Sequence, residues 1–166
     1  VHALINNAAI FPRRAFSEVS LQEWNEVIAT NLTGPFLVTQ QVVPLMLPNR
    51  DGVIINMASG QSFRGDALGV HYTSTKHAIR GLTKSLALAL GPHGIRVNAI
   101  APGPTLTSQA LQTRSREELL ERGRQLPLGR VGQAQDIAAV VSFWLGDEAR
   151  YITGETIPVN GGSDMP

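Results

Sequence analysis

The sequence predicts an α/β fold with a parallel sheet, on three observations. Short apolar runs at residues 1–5, 53–57 and 95–101 read as buried strands. Longer stretches of helical periodicity alternate with them, and such alternation builds parallel sheets. Asn6, Ser59 and Pro102-Gly103 all fall at the carboxyl ends of the apolar runs. That is the edge where open α/β sheets bind ligands.

The first run closes on Asn6-Asn7-Ala8-Ala9, polar side chains where a strand reaches a crevice. The chain starts at Val1 with a strand already under way and no methionine, which reads as a cut edge with an N-terminal part missing. Ser20-Leu21-Gln22-Glu23 is a capping-box sequence: Ser20 accepts from the backbone three residues on, and Glu23 reaches back. A helix is expected from about Leu21, with Trp24, Ile28, Leu32 and Phe36 at helical spacing. Pro35 lacks a backbone donor and crowds the carbonyl near Asn31, so a kink or bulge is expected there. Such a bulge is either a local helix defect or a place where a freed carbonyl and a polar side chain hold a water.

Asn49-Arg50-Asp51-Gly52 turns into the second strand, and Ser59 sits just past its end. A loop over 61–69 leads into a helix over 70–90, with Ala78, Leu82, Leu86 and Leu90 as its apolar stripe and Gly91-Pro92 as its stop. The third strand runs into Pro102-Gly103-Pro104, with Thr105 and Thr107 following. Residues 108–128 are helical in propensity. Their Arg114, Arg116, Arg122 and Arg124 read as a solvated face paired with Glu117, Glu118 and Glu121. A helix over 134–145 and a last strand over 156–159 complete the chain.

With 166 residues, 43% hydrophobic and 16% charged, one globular domain is expected. A net charge of +1 gives no ground for nucleic acid or an anionic membrane as partner. The absence of cysteine excludes disulfides and thiolate sites and fits a reducing, cytoplasmic compartment. His2, His71, His77 and His93 lack helix-spaced acidic partners, so no metal is expected. Apolar stretches such as Leu86-Ala87-Leu88-Ala89-Leu90 fall far short of a membrane span.

The chemistry centres on Ser59, Tyr72 and Lys76. Tyr72 and Lys76 stand four apart, hence on one face of a helix. A cation beside a phenol brings its pKa of about 10 down toward neutrality. Ser59 would then polarise a carbonyl that Tyr72 protonates. The same spacing also fits a half-buried tyrosine with a solvated lysine one turn on.

Asn6-Asn7-Ala8-Ala9, Asn31-Leu32-Thr33-Gly34, Ser59, Tyr72-x-x-x-Lys76 and Pro102-Gly103 stand in an order and spacing that resembles the short-chain dehydrogenase/reductase family. The tail is similar too, at Arg130-x-Gly132, Asp136-Ile137-Ala138, Tyr151-Ile152-Thr153-Gly154 and Asn160-Gly161-Gly162. The resemblance covers essentially the whole chain. It implies a Rossmann-like doubly wound parallel sheet. This chain would supply the C-terminal portion, about four strands with flanking helices, as one incomplete domain over 1–166. It implies hydride transfer between NAD or NADP and the carbonyl/alcohol carbon of a small molecule. Tyr72 matches the family's general acid/base, and Lys76 the lysine that tunes it and binds the nicotinamide ribose. Ser59 matches the serine on the substrate oxygen, and Asn31 the asparagine that anchors a water in the proton relay. Asn7 and Ala8 lie in the stretch that approaches the cofactor. Pro102, Gly103, Thr105 and Thr107 lie in the segment that contacts its carboxamide end. A homodimer or homotetramer through the helices over 21–47 and 70–90 is also implied.

Four positions depart from the pattern: Ala9 for a glycine, Ala58 for a second serine, Ala134 for a proline and Asn160 for an aspartate. No glycine-rich G-x-G-x-x-G turn is present, and the residue that would choose between NAD and NADP is not in the chain. The alternative is therefore a non-catalytic truncated fragment or binding subunit. A serine hydrolase is disfavoured, because Met57-Ala58-Ser59-Gly60 is not a G-x-S-x-G elbow.

Overall fold

In the computed structural model, which describes residues 1–166, four parallel strands form one sheet in the order β1-β2-β3-β4. The strands are β1 (Ala3–Asn6), β2 (Gly52–Met57), β3 (Ile95–Pro102) and β4 (Thr156–Val159). The helices are α1 (Leu21–Ile28), α2 (Gly34–Met46), α3 (Val70–Leu90), α4 (Ser108–Leu111), α5 (Arg116–Arg124) and α6 (Ala134–Leu145).

Successive strand residues point to opposite faces, and here both faces are covered. Ile54, Ile95 and Val97 pack with Met46 and Ala87 under α2 and α3. Val53, Ile55 and Ile100 pack with Trp144 and Ala149 under α6. Two covered faces explain why β2 and β3 read as continuous apolar runs, while β1, at the edge of the sheet, stays partly exposed. Helices on both faces of a parallel sheet make the Rossmann-like architecture expected from the sequence.

Register is also held by polar groups. Asn6, opposite Asn56, donates to its Oδ1 at 2.8 Å and to Thr39 Oγ1 at 3.1 Å. Asn56 Nδ2 in turn donates to Thr83 Oγ1 at 3.0 Å. This chain ties β1 and β2 to α2 and α3, and a one-residue slip would leave buried amides unpaired. Asn6 thus belongs to β1, one residue beyond the apolar run.

The helix expected from Leu21 starts there, and the bulge at Asn31 is present. A π turn, Ala29–Thr33, separates α1 from α2, with the Gly34 N–H bonded to Ala29 O. It accommodates the missing donor of Pro35 without stopping the helix. Half of the expected capping box forms: Ser20 Oγ accepts from Glu23 N at 3.1 Å. The Glu23 carboxylate does not reach back. It accepts instead from the Arg14 guanidinium at 3.0 Å and meets His71 Nε2 at 3.1 Å, charged and ring donors that outbid a backbone N–H.

α3 runs from Val70 to Leu90, as expected, but its buried face is shifted. Ala78, Leu82, Leu86 and Leu90 are only half-buried, whereas Tyr72, Lys76, Ile79, Thr83 and Ala87 face the sheet. The helix expected over 108–128 is broken in two. Ser115 Oγ accepts from Glu118 N at 3.1 Å, and Glu118 returns to Ser115 N at 2.7 Å, so α5 starts afresh at Arg116. No helix is long and apolar enough to cross a membrane.

Candidate active site

The carboxyl ends of the strands deliver the site. β2 ends at Met57, and Ser59 caps a short turn, Gly60–Ser62, by accepting from Gln61 N at 3.2 Å. Ser62 Oγ accepts from Ser59 N at 3.2 Å and donates to Lys76 O at 2.7 Å. The turn that carries Ser59 is thereby fastened to α3 at Lys76. Tyr72 lies one turn earlier on the same helix face, its ring 4.3 Å from that of Phe11, centroid to centroid.

Tyr72 and Lys76 are both buried. Lys76 Nζ donates to Met57 O at 2.6 Å and lies 5.5 Å from the Tyr72 ring centroid. Burial pulls the Lys76 ammonium down to about 8, because an apolar surrounding disfavours the charged form. The sequence reading has Lys76 depress the Tyr72 phenol, and the structure gives the opposite net direction. Burial raises the Tyr72 phenol, and the nearby Ser59 hydroxyl draws it back only in part. The ammonium is turned to the end of β2, so desolvation outweighs its field at the phenol. No hydrogen bond within 3.5 Å closes between the Ser59 and Tyr72 hydroxyls; Ser59 Oγ is engaged by the Gln61 amide.

Asn31 is buried, but its side chain does not line the cavity described below. Its Oδ1 accepts from Ile10 N and its Nδ2 donates to Ile10 O, both at 2.9 Å, with Thr75 Oγ1 at 3.4 Å. The amide is committed to pinning the segment after β1, which carries Phe11 to the Tyr72 ring. Asn31→Ala is expected to destabilise the protein by about 2–3 kcal/mol, since two backbone groups of Ile10 lose their partners. Asn31→Asp, which keeps the acceptor, is expected to lose less. Urea unfolding of the two variants checks the order.

α3 is anchored next to Tyr72 as well. His71 is fully buried, and its Nδ1 accepts from Tyr72 N at 2.9 Å. The Nε2 must then carry the ring proton toward Glu23. The sequence shows His71 only as a histidine without an acidic partner at helical spacing; its role comes from Glu23, forty-eight positions away in the chain.

Ser59, Tyr72 and Lys76 open on one cavity of about 800 Å³. Asn7, Pro102, Gly103, Thr105 and Thr107 line it with them, whereas Ala8 does not. Thr105 Oγ1 donates to Gly103 O at 2.9 Å, and Thr107 Oγ1 accepts from Ala110 N at 3.2 Å, capping α4. Gly103 is required by close approach: a Cβ there would stand 2.5 Å from that of Asn160. Gln109 Nε2 donates to Ala9 O at 3.1 Å and spans from α4 to the segment after β1. Gln61, Arg64, Asp66, Arg114 and Arg122 also line the cavity. All five lie in the stretches 61–69 and 108–128, where a substrate pocket of this family would be shaped, but the sequence marks none of them singly and reads two of the arginines as a solvated face.

The arrangement holds a hydroxyl, a phenol and an ammonium at the ends of parallel strands on one cavity. The family model described as enoyl-(acyl carrier protein) reductase matches residues 1–164. The chain belongs to the short-chain dehydrogenase/reductase family. Among relatives of this family, it is 43% identical over 162 residues to the 3-oxoacyl-(acyl-carrier-protein) reductase FabG of Aquifex aeolicus, covering 98% of this chain and 65% of that one. It is 44% identical over 164 residues to the protein of the same name from Staphylococcus aureus, with coverage of 98% and 65%. The chain thus spans about two thirds of the length of these relatives.

Solved structures of short-chain dehydrogenase/reductases superpose closely. A 4-hydroxyisoleucine dehydrogenase complexed with NADH matches with a TM-score of 0.90 at 31% identity, covering 96% of this chain and 67% of that one. The 3-oxoacyl-(acyl-carrier protein) reductase of Brucella melitensis matches with a TM-score of 0.91 at 35% identity, covering 99% and 63%.

Proposed function

We propose that this chain carries the proton-transfer centre of an NAD(P)-dependent oxidoreductase that interconverts a carbonyl and an alcohol on a small molecule. The observation that carries the reading is the convergence of Ser59, Tyr72 and Lys76 on one cavity, with Pro102, Gly103, Thr105 and Thr107 on its wall. The residues fit a nicotinamide cofactor. Lys76 Nζ has three donors, and Met57 O accepts one of them. A buried ammonium with two free donors suits the hydroxyls of a ribose, and Asn7 and Thr107 offer further polar groups on the same wall.

When bound, reduced NAD or NADP supplies the hydride to the carbonyl carbon. The chain's own residues handle the oxygen. Ser59 donates a hydrogen bond to it, and Tyr72 donates its proton to it as negative charge develops. Lys76, one helical turn on, stabilises the phenolate left behind. A phenol whose pKa is raised by burial is protonated at neutral pH and stands ready to donate. The reverse direction needs the phenolate, so alcohol oxidation is expected to gain more from rising pH than carbonyl reduction does. Asn31 supports this centre by holding the segment that carries Phe11 through its side chain, and its own backbone carbonyl at the π turn is where a relay water would bind.

The apolar residues Phe36, Leu37, Val38 and Leu45 of α2 and Leu88 of α3 are exposed. They support self-association through these helices into a dimer or tetramer. A cytoplasmic location belongs to the same proposal. The test is oxidation of NADH and NADPH by purified protein against a panel of small ketones and oxo acids. Turnover is expected with one cofactor favoured. Absence of turnover, together with no rise in melting temperature on adding either cofactor, would favour the non-catalytic binding subunit.

A further inference from the structure

The wall of the cavity carries charge that proton transfer does not use. Arg64, Arg114 and Arg122 line it beside Ser59 and Tyr72. They come from three segments: the loop after β2, the turn between α4 and α5, and α5 itself. None of the three forms an ion pair, in contrast to Arg13, Arg14, Arg124, Arg130 and Arg150, each of which meets an acid. The one acid that lines the same cavity is already committed. Asp66 accepts from Arg13 at 2.8 Å, from the Gln61 side chain and from Leu68 N at 3.0 Å.

Like charges gathered at a half-buried site repel. Burial pulls the Arg122 guanidinium down, and Arg114, Arg64 and Arg13 push it in the same direction, with Asp66 opposing. The placement is set by the fold. Leu119, three residues before Arg122 and so on the same face of α5, is buried and lines the same cavity. The exposed Arg124 of that helix pairs with Glu121 at 2.7 Å instead.

We propose that Arg64, Arg114 and Arg122 form a subsite for an anionic oxygen group, a carboxylate or a phosphate, carried by the substrate apart from its reacting carbonyl. The inference rests on Ser59, Tyr72 and Lys76 being the reacting end. Guanidinium groups bind such anions through paired N–H donors, and a cavity wall that keeps water away strengthens the contact. The substrate class is then an oxo acid, a hydroxy acid or a phosphorylated carbonyl compound, with the anion at the arginine end and the carbonyl at Tyr72.

The test compares wild type with R64Q/R114Q/R122Q, using succinate and inorganic phosphate as probes in calorimetric titrations at low salt. Succinate is expected to bind wild type and to weaken by about tenfold for each arginine removed. Tighter binding of phosphate than of succinate would assign the site to phosphate. R116Q/R124Q on the outer face is expected to change neither. Turnover supplies a second arm: acetoacetate should lose kcat/KM in the triple variant, while its neutral methyl ester should not. The KM for reduced cofactor should stay unchanged, and a fall in cofactor affinity equal to the loss for succinate would assign the arginines to the cofactor and overturn the proposal. Equal binding of both anions by wild type and variant, or binding of neither anion by either protein, would also overturn it. If the triple variant fails to fold, R64Q alone, on an exposed loop, carries the same comparison. Anion binding without turnover of any carbonyl would leave the subsite standing and sink the oxidoreductase reading instead.

Discussion

Tyr72→Phe is expected to lower carbonyl turnover by about 10²- to 10⁴-fold, the range in which a positioned proton donor contributes. The fold should survive intact. The substitution keeps the ring that packs 4.3 Å from Phe11 and removes an oxygen that closes no hydrogen bond within 3.5 Å in this structure. The difference in stability is therefore expected to stay below about 1 kcal/mol. Cofactor binding should also persist, because Lys76, Asn7 and Thr107 are untouched. The measurement pairs steady-state oxidation of NADH or NADPH with a cofactor titration of each protein. Turnover retained alongside unchanged binding would remove Tyr72 from the chemistry.

Lys76→Met should lower turnover too, but its larger signature is in stability against pH. The folded protein holds Lys76 at about 8, against an ordinary value of 10.5. Between these two pH values the unfolded chain keeps a proton that the folded chain has released. Stability therefore rises with pH across that window, and below it the full penalty of the buried ammonium is present. A shift of this size corresponds to about 3 kcal/mol. Wild type should gain about 2 kcal/mol of this relative to Lys76→Met between pH 7.5 and pH 10, with other titrating groups cancelling in the comparison. At neutral pH the variant is expected to be at least as stable as wild type, since the relief offsets the lost bond to Met57 O. Paired denaturant melts over this pH range check both statements. Parallel curves would show that Lys76 is not buried as a charge.

These two residues also show how far the sequence could be read. The spacing of Tyr72 and Lys76 on one helix, the extent of α3 and the bulge at Asn31 before Pro35 are local patterns, and all three are present in the structure. What Asn31 binds is not local. Its amide meets Ile10, twenty-one positions earlier, and no periodicity announces that pair. The sign of the Tyr72 shift was illegible for a similar reason. It depends on how deeply the helix face is buried and on Met57 O drawing the ammonium, and both are properties of packing. The split between α4 and α5 was legible and was overlooked: Ser115-Arg116-Glu117-Glu118 is itself a capping box. Without that break, Arg114 and Arg122 fall on one continuous helix with acids to pair with. With it, they meet Arg64 across a cavity.

The structure holds two tyrosines, Tyr72 at the cavity and Tyr151 fully exposed. Their ring carbons can be labelled and titrated by NMR, with Tyr72→Phe assigning the signals. Tyr72 is expected to titrate above its ordinary value in the protein alone, and to move down by about a unit or more when NAD+ or NADP+ is added, as the positive charge of the oxidised nicotinamide joins that of Lys76. In Lys76→Met the downward move should shrink to what the cofactor's own charge contributes. A Tyr72 signal that is unaffected by cofactor and by Lys76→Met alike would contradict the assignment of Ser59, Tyr72 and Lys76 as one proton-transfer centre.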